Sequence, residues 1–332
     1  MDISKSEALK NITVKQKNPK SETKNIAKHV AEKATSPTEK EIKNFSVKTL
    51  LDSLFKDLSS GTKSKSEVLS TLKQLDISLN IKDTVADLKA LIQLIKSDES
   101  ILKSDIKLDE MLLDIKNLTS DNLRAHIEKS GVFFESKLAE ISFHEKINNI
   151  DLPALVRLKD EVFSDVKSVL LTIQDKLNNT NKPEAKEALV HVDKILTNIY
   201  YYQLLSFSAN VNISYLPLLW TELEDGRIQL KKLKQSKYFC EINLKLKRYG
   251  KIDLLLMLSD DKYVDISFFA EDENLLQLLN QNIQALQNGI SKIGLISLNM
   301  YIFDYLKGDK AKKDTKAFAD SLQTGEGINI HV

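Results

Sequence analysis

Between Tyr238 and Phe303 the chain alternates apolar and polar positions, breaks, and alternates again. Cys240, Ile242, Leu244 and Leu246 are apolar, with Glu241, Asn243, Lys245 and Lys247 between them. That period of two predicts a strand with one buried face. Arg248-Tyr249-Gly250 interrupts it, a second apolar run spans Ile252 to Leu258, and Ser259-Asp260-Asp261-Lys262 interrupts that in turn. A third run, Tyr263 to Phe269, puts Val264, Ile266 and Phe268 on one side. Three strands with short polar connections predict an antiparallel meander. The period then changes. Asp272 or Asn274 can cap a helix, and Leu275, Leu276, Leu279, Ile283, Leu286 and Ile290 form one apolar stripe ending near Asn288-Gly289. After Gly294 the period of two returns, with Ile296, Leu298, Met300 and Ile302 on one face. The expected unit is a small α+β domain, an antiparallel sheet whose apolar face one helix covers.

Upstream, residues 1–44 are rich in Lys, Ser, Thr, Asn and Glu without a sustained apolar pattern, which predicts a disordered tail. From Phe45 to about residue 208 apolar residues recur at helical spacing. Short stretches come first (Leu50 to Leu58, Val68 to Leu75, Val85 to Ile95, Leu108 to Ile115). Helices of that length are marginal alone and need one another or a partner. In Leu123–Leu138 a helix is expected to reach Ser130, with Gly131 breaking or bending it and Phe133, Phe134 and Leu138 restarting the apolar face. Two long helices follow, from Leu152 to Leu177 and from Pro183 towards Phe207, joined by a polar loop as an antiparallel hairpin. Ile213–Leu223 is β-prone but carries Pro217, which suits an edge, and Glu224-Asp225-Gly226 reads as a hairpin turn. The β-domain is therefore expected over 210–304, followed by a disordered tail over 305–332.

Composition narrows the function classes. The net charge of +1 gives no global bias towards nucleic acid, and basic residues are not interleaved with exposed aromatics in the way single-strand binding requires. A single cysteine, Cys240, excludes an internal disulfide, and its place in an alternating strand predicts a small buried residue. No apolar run approaches the length of a membrane span or of a secretory signal core. His29, His126, His144, His191 and His331 show no metal-ligand spacing, and there is no phosphate-cradling glycine motif or nucleophile elbow. No enzyme, cofactor or metal is expected. Lys231-Lys232 and Lys245-Lys247-Arg248 make the β-domain locally basic, either as a protected strand edge or as a docking face for an acidic protein surface.

The stretch beginning at Ile242 resembles the C-terminal domain of the flagellar hook-length control protein family. Ile242 and Leu244 take the first apolar positions of that family's motif, Gly250 its glycine and Ile252 its valine. Leu246 replaces a frequent proline, and Tyr249 a leucine. Ser130-Gly131-Val132-Phe133-Phe134-Glu135-Ser136-Lys137-Leu138 resembles a second segment carried upstream by several members. The resemblance implies a protein exported through the flagellar type III apparatus without a cleaved signal, its tail serving as export signal. The C-terminal domain would dock on the cytoplasmic domain of the export-gate switch protein to change substrate class. Leu244, Tyr249, Gly250 and Ile252 become the expected partner-binding positions, with hook and hook-cap proteins as further partners and a monomer as the expected state. Apart from the resemblance, the residues equally fit a cytoplasmic helical scaffold or adaptor with a β-domain for protein binding.

Overall fold

The computed structural model describes residues 39–79, 84–97, 108–146, 152–216, 218–234 and 236–323. Residues 1–47 and 48–332 are separate units. The expected disordered segment 1–44 lies outside the described residues up to 38, and residues 39–44 are helical, within α1 (Glu39–Ser59).

In the second unit, α2 (Lys65–Leu79), α3 (Thr84–Ser97) and α7 (Val166–Asn178) pack on the long α8 (Pro183–Ala209). Val68, Leu72, Leu88, Leu91, Leu170, Ile173, Val192 and Ile195 are sealed from solvent, so these short helices hold one another in place. Pro183 opens α8, where a missing N–H costs nothing. The helix expected over Leu152–Leu177 is split into α6 (Leu152–Phe163) and α7. The buried Asp165 carboxylate accepts the Lys167 N–H at 2.9 Å and starts a new helix there. Leu108–Ile115, expected to be α-helical, instead forms a short 3-10 turn and strand β1 (Leu113–Asp114). The chain straightens because β1 pairs in parallel with β3 (Leu218–Leu219), a partner far away in sequence.

Six strands form the main sheet in the order β2-β4-β5-β6-β7-β8. They are β2 (Asn212–Tyr215), β4 (Leu223–Leu233), β5 (Lys237–Leu246), β6 (Gly250–Ser259), β7 (Tyr263–Ala270) and β8 (Ile296–Asp304). The meander β4 to β7 is antiparallel as expected, but β8 returns parallel to β7. The reason is α9 (Glu273–Lys292), which crosses over between them and brings the chain back to the starting end. Asp272 caps α9 by accepting the Leu275 N–H, and the helix runs past Asn288-Gly289 to stop before Gly294 (φ +83°). The anticipated turn at Glu224–Gly226 lies inside β4, and the connection from β2 contains β3, with Pro217 outside the described residues. Gly226 serves close approach rather than turning. A Cβ there would stand 3.3 Å from both Leu216 and Leu244.

Two further differences shape the surface. In β8 the register skips one residue, pairing Val264 with Ser297 and Asp265 with Asn299. Leu298 becomes the extra residue of a β-bulge. It lies exposed, while the Ser297 hydroxyl is buried without a partner among the described residues. The alternation assigned to Ile296, Leu298, Met300 and Ile302 therefore holds only from Met300 onward. The polar tail expected over 305–332 contains α10 (Asp309–Ser321), and residues 324–332 lie outside the described part. The sheet is thus covered on both faces. Leu246, Ile252, Val264, Ile266 and Phe268 pack under α9, and the β4–β5 end of the same face closes on Leu113 and Ile127. On the opposite face Leu233, Phe239, Leu255 and Phe269 pack with Ala319 of α10.

Candidate docking site

Leu244, Tyr249, Gly250 and Ile252 come together at one end of the β5–β6 hairpin. Leu244 and Ile252 are cross-strand partners, and Leu246 pairs with Gly250. Ile252 is buried and Leu244 half-buried, both turned into the core shared with α9. Tyr249 packs on the same core, with Arg248 stacked 5.3 Å over its ring. Gly250 has φ +69°, a conformation that side chains with Cβ resist. The Lys251 N–H donates to Glu271 Oε2 at 2.8 Å, and the Glu271 N–H donates to the Lys251 carbonyl at 3.0 Å. The hairpin end is thereby tied to the start of α9. Lys247 and Arg248 stand exposed at its tip.

The polar positions of β5 and β6 are not a solvated face. Glu241 and Asp253 are buried beneath α10. Asn243 Nδ2 donates to Asp253 at 2.6 Å and to Glu241 at 3.0 Å, while Arg227 donates to Asn243 Oδ1 at 2.8 Å. From α10, Lys312 pairs with Asp253 and Lys316 with Glu241. Burial alone lowers the Lys312 ammonium pKa, but the Asp253 hydrogen bond and charge outweigh it and hold that pKa above the usual lysine value. The Tyr305 phenol is pushed up, first by burial and then by the Asp253 charge. This is a structural charge lock. The sequence signal for it is two lysines at i, i+4 in a segment that otherwise reads as tail. Burial, and then the Glu241 charge, push the half-buried Cys240 thiol up to about 12, away from its reactive thiolate form.

A second cluster gathers around Ser130–Leu138. The Ser130 carbonyl accepts the Tyr215 phenol at 3.1 Å, and the Gly131 carbonyl accepts Gln203 Nε2 at 2.9 Å. Glu135 bonds Lys167 and Gln203. The buried Lys137 ammonium donates to the Glu128 carbonyl at 2.7 Å and to Asp165 at 3.2 Å. The segment joins α4 (Ser120–Glu128), α5 (Phe134–His144), α7, α8 and β2. Burial pushes the Asp165 carboxyl up to about 6 despite Lys137, and pulls the Lys167 ammonium down. A carboxyl whose pKa is higher in the folded state stabilises the fold below about pH 4, and that stabilisation is lost as pH rises through 6. The stability advantage of wild type over Asp165→Asn should therefore shrink by on the order of 3 kcal/mol between pH 4 and pH 7 in chemical unfolding. A pH-independent difference would exclude the shift.

Among the described residues no group of three or more His, Cys, Asp or Glu side chains is arranged for a metal, and no helix is long and apolar enough to cross a membrane. Residues 226–309 match the family described as flagellar hook-length control protein FliK. The chain carries a flagellar hook-length control domain. The match covers a quarter of the chain, from within β4 to the first residue of α10. The hairpin end, α9 and β8 lie inside the hook-length control domain, whereas α10 and the Ser130–Leu138 junction lie outside it. Neither the curated proteins nor the solved structures furnish a match to this chain.

Proposed function

We propose that this chain acts in hook-length control by switching the substrate class of the flagellar type III export apparatus. The observation that carries the reading is the hook-length control match over residues 226–309, which falls on a folded α+β unit. In this reading the hairpin end at Tyr249-Gly250-Lys251 contributes to docking on the cytoplasmic domain of the export-gate switch protein. Lys247 and Arg248 offer that surface a positive rim. The chain acts as a monomer without catalysis or cofactor. It is cytoplasmic until export, and it meets hook and hook-cap proteins in transit.

Length would be measured by the segment preceding the β-domain. Roughly 200 residues reach on the order of 700 Å fully extended and on the order of 300 Å as continuous helix. Gly61 lies in the exposed α1–α2 connection, where even an added Cβ would meet nothing within 4 Å, so an insertion there spares the packing. Inserting about 30 flexible polar residues after Gly61 should lengthen hooks by up to ~100 Å if the block is extended in transit. Hook lengths on isolated filaments decide this, with a deletion strain as control. Unchanged hooks from a protein still exported and still switching would remove the ruler role and leave the β-domain as a switch timed by something else.

A further inference from the structure

Between its ends the surface formed by α9 and β8 is poor in charge. Of the whole chain 29% is charged, yet among the thirty residues from Asn274 to Phe303 only Lys292 is. Asn and Gln fill the polar positions of α9 (Asn274, Gln277, Asn280, Gln281, Asn282, Gln284). Large apolar side chains are nevertheless exposed there. They include Leu278 and Leu286 on α9, Ile293 in the connection at 74% exposure, and Leu298 (55%) and Tyr301 (51%) on β8. Charge depletion with exposed apolar and aromatic groups marks the centre of an interface rather than a solvated face.

Backbone geometry says what kind of interface. Among the described residues β8 is the last strand of the sheet, and its hydrogen bonds run to β7 on one side only. Free edges are normally guarded by lysine or proline, and Ile296–Phe303 has neither. The bulge at Leu298 guards the start of the edge, and from Asn299 to Phe303 the strand is regular and unguarded. A polypeptide strand laid along β8 would gain main-chain hydrogen bonds, with apolar contacts from α9 on one face and from Tyr301 on the other.

Complementarity then limits the occupant. A charged side chain on the added strand would be desolvated against a surface whose one mid-strand charge, Asp265 of β7, already accepts the Asn299 amide at 2.6 Å. Beyond Asp265, charge reappears at the ends. Lys292 and Lys262, whose carbonyl accepts the Ile296 N–H, flank the start of β8, and Asp304 closes it. We infer that β8 and α9 form a strand-acceptor site for a neutral, apolar–polar alternating segment of a partner protein. An acidic residue of that segment falls beside Lys292 and a basic one beside Asp304. The inference rests on the export-gate reading, to which it adds a second contact surface beside the hairpin end.

The test uses the full chain and the purified cytoplasmic domain of the export-gate switch protein. Leu298→Lys with Tyr301→Lys guards the edge at two exposed positions, so the melting curve should stay as in wild type. Affinity for the gate domain should fall at least ten-fold. Phe143→Lys with Val156→Lys, at exposed apolar positions on α5 and α6, should leave it unchanged. In the wild-type complex the amides of Ile296–Phe303 should gain protection from hydrogen exchange. Wild-type affinity in the edge variant, or a complex without that protection, overturns the strand-acceptor site while leaving the gate reading intact. A wild-type chain that does not bind the gate domain at all overturns the gate reading and the docking with it.

Discussion

Gly131→Ala is expected to destabilise the protein by about 3–5 kcal/mol, the sum of two separable costs. Gly131 sits at φ +92°, where an L side chain is strained by roughly 1–2 kcal/mol. It is also crowded: a Cβ would fall 2.8 Å from Ile199 Cδ1 and 3.1 Å from Lys167 Cβ, both parts of buried side chains. Relieving that contact shifts the α5–α8 packing and loosens the Gln203 bond to the Gly131 carbonyl. Gly61 supplies the control, with φ +71° and nothing within 4 Å. Gly61→Ala should cost only the strain, about 1–2 kcal/mol. Equilibrium unfolding of the two variants separates conformation from crowding. Equal losses at both positions would mean that the junction yields to the methyl group.

The same residues show what the sequence reveals and what it hides. Period-two alternation marks β5 and β7, whose inward positions are apolar, as Val264, Ile266 and Phe268 are, while β6 is marked by an unbroken apolar run from Leu254 to Leu258. The α9 stripe was legible for the same reason. Pattern reading failed where burial is achieved by charge: Glu241 and Asp253 look like solvent positions until Lys316 and Lys312 arrive from α10. It also failed at the β8 bulge, since one extra residue reverses every face assignment before it and leaves no compositional mark. Ser130-Gly131 read correctly as a break. The reason a glycine stands there, the close approach of Ile199 from α8, is a tertiary contact that local pattern does not contain. Of the four expected docking positions, the turn residues Tyr249 and Gly250 were recognisable from punctuation. That Leu244 and Ile252 pair across the strands and face the core depends on register.

Lys312→Met is expected to cost about 3–5 kcal/mol, more than the pair it breaks contributes. Asp253 is 4% exposed and keeps only neutral hydrogen-bond donors, Asn243 and the Tyr305 phenol, once the ammonium is gone. A buried carboxylate without its cation is penalised by desolvation, whereas removing both charges removes that penalty. Asp253→Leu with Lys312→Met should accordingly recover most of the loss, giving a coupling of roughly 2–3 kcal/mol in the double-mutant cycle. A stop after Gly308 tests the helix itself. It uncovers Phe239, Leu255 and Phe269 but also opens Glu241 and Asp253 to water, so the carboxylates no longer lack solvation. The remaining loss is apolar cover, about 25 cal/mol for each Å² exposed, and should appear as binding of a hydrophobic dye. The truncated chain should therefore bind dye yet lose less stability from a further Asp253→Leu change than the full chain does. If Lys312→Met and the double variant are equally unstable, α10 is held by apolar contact alone and the charge lock contributes nothing.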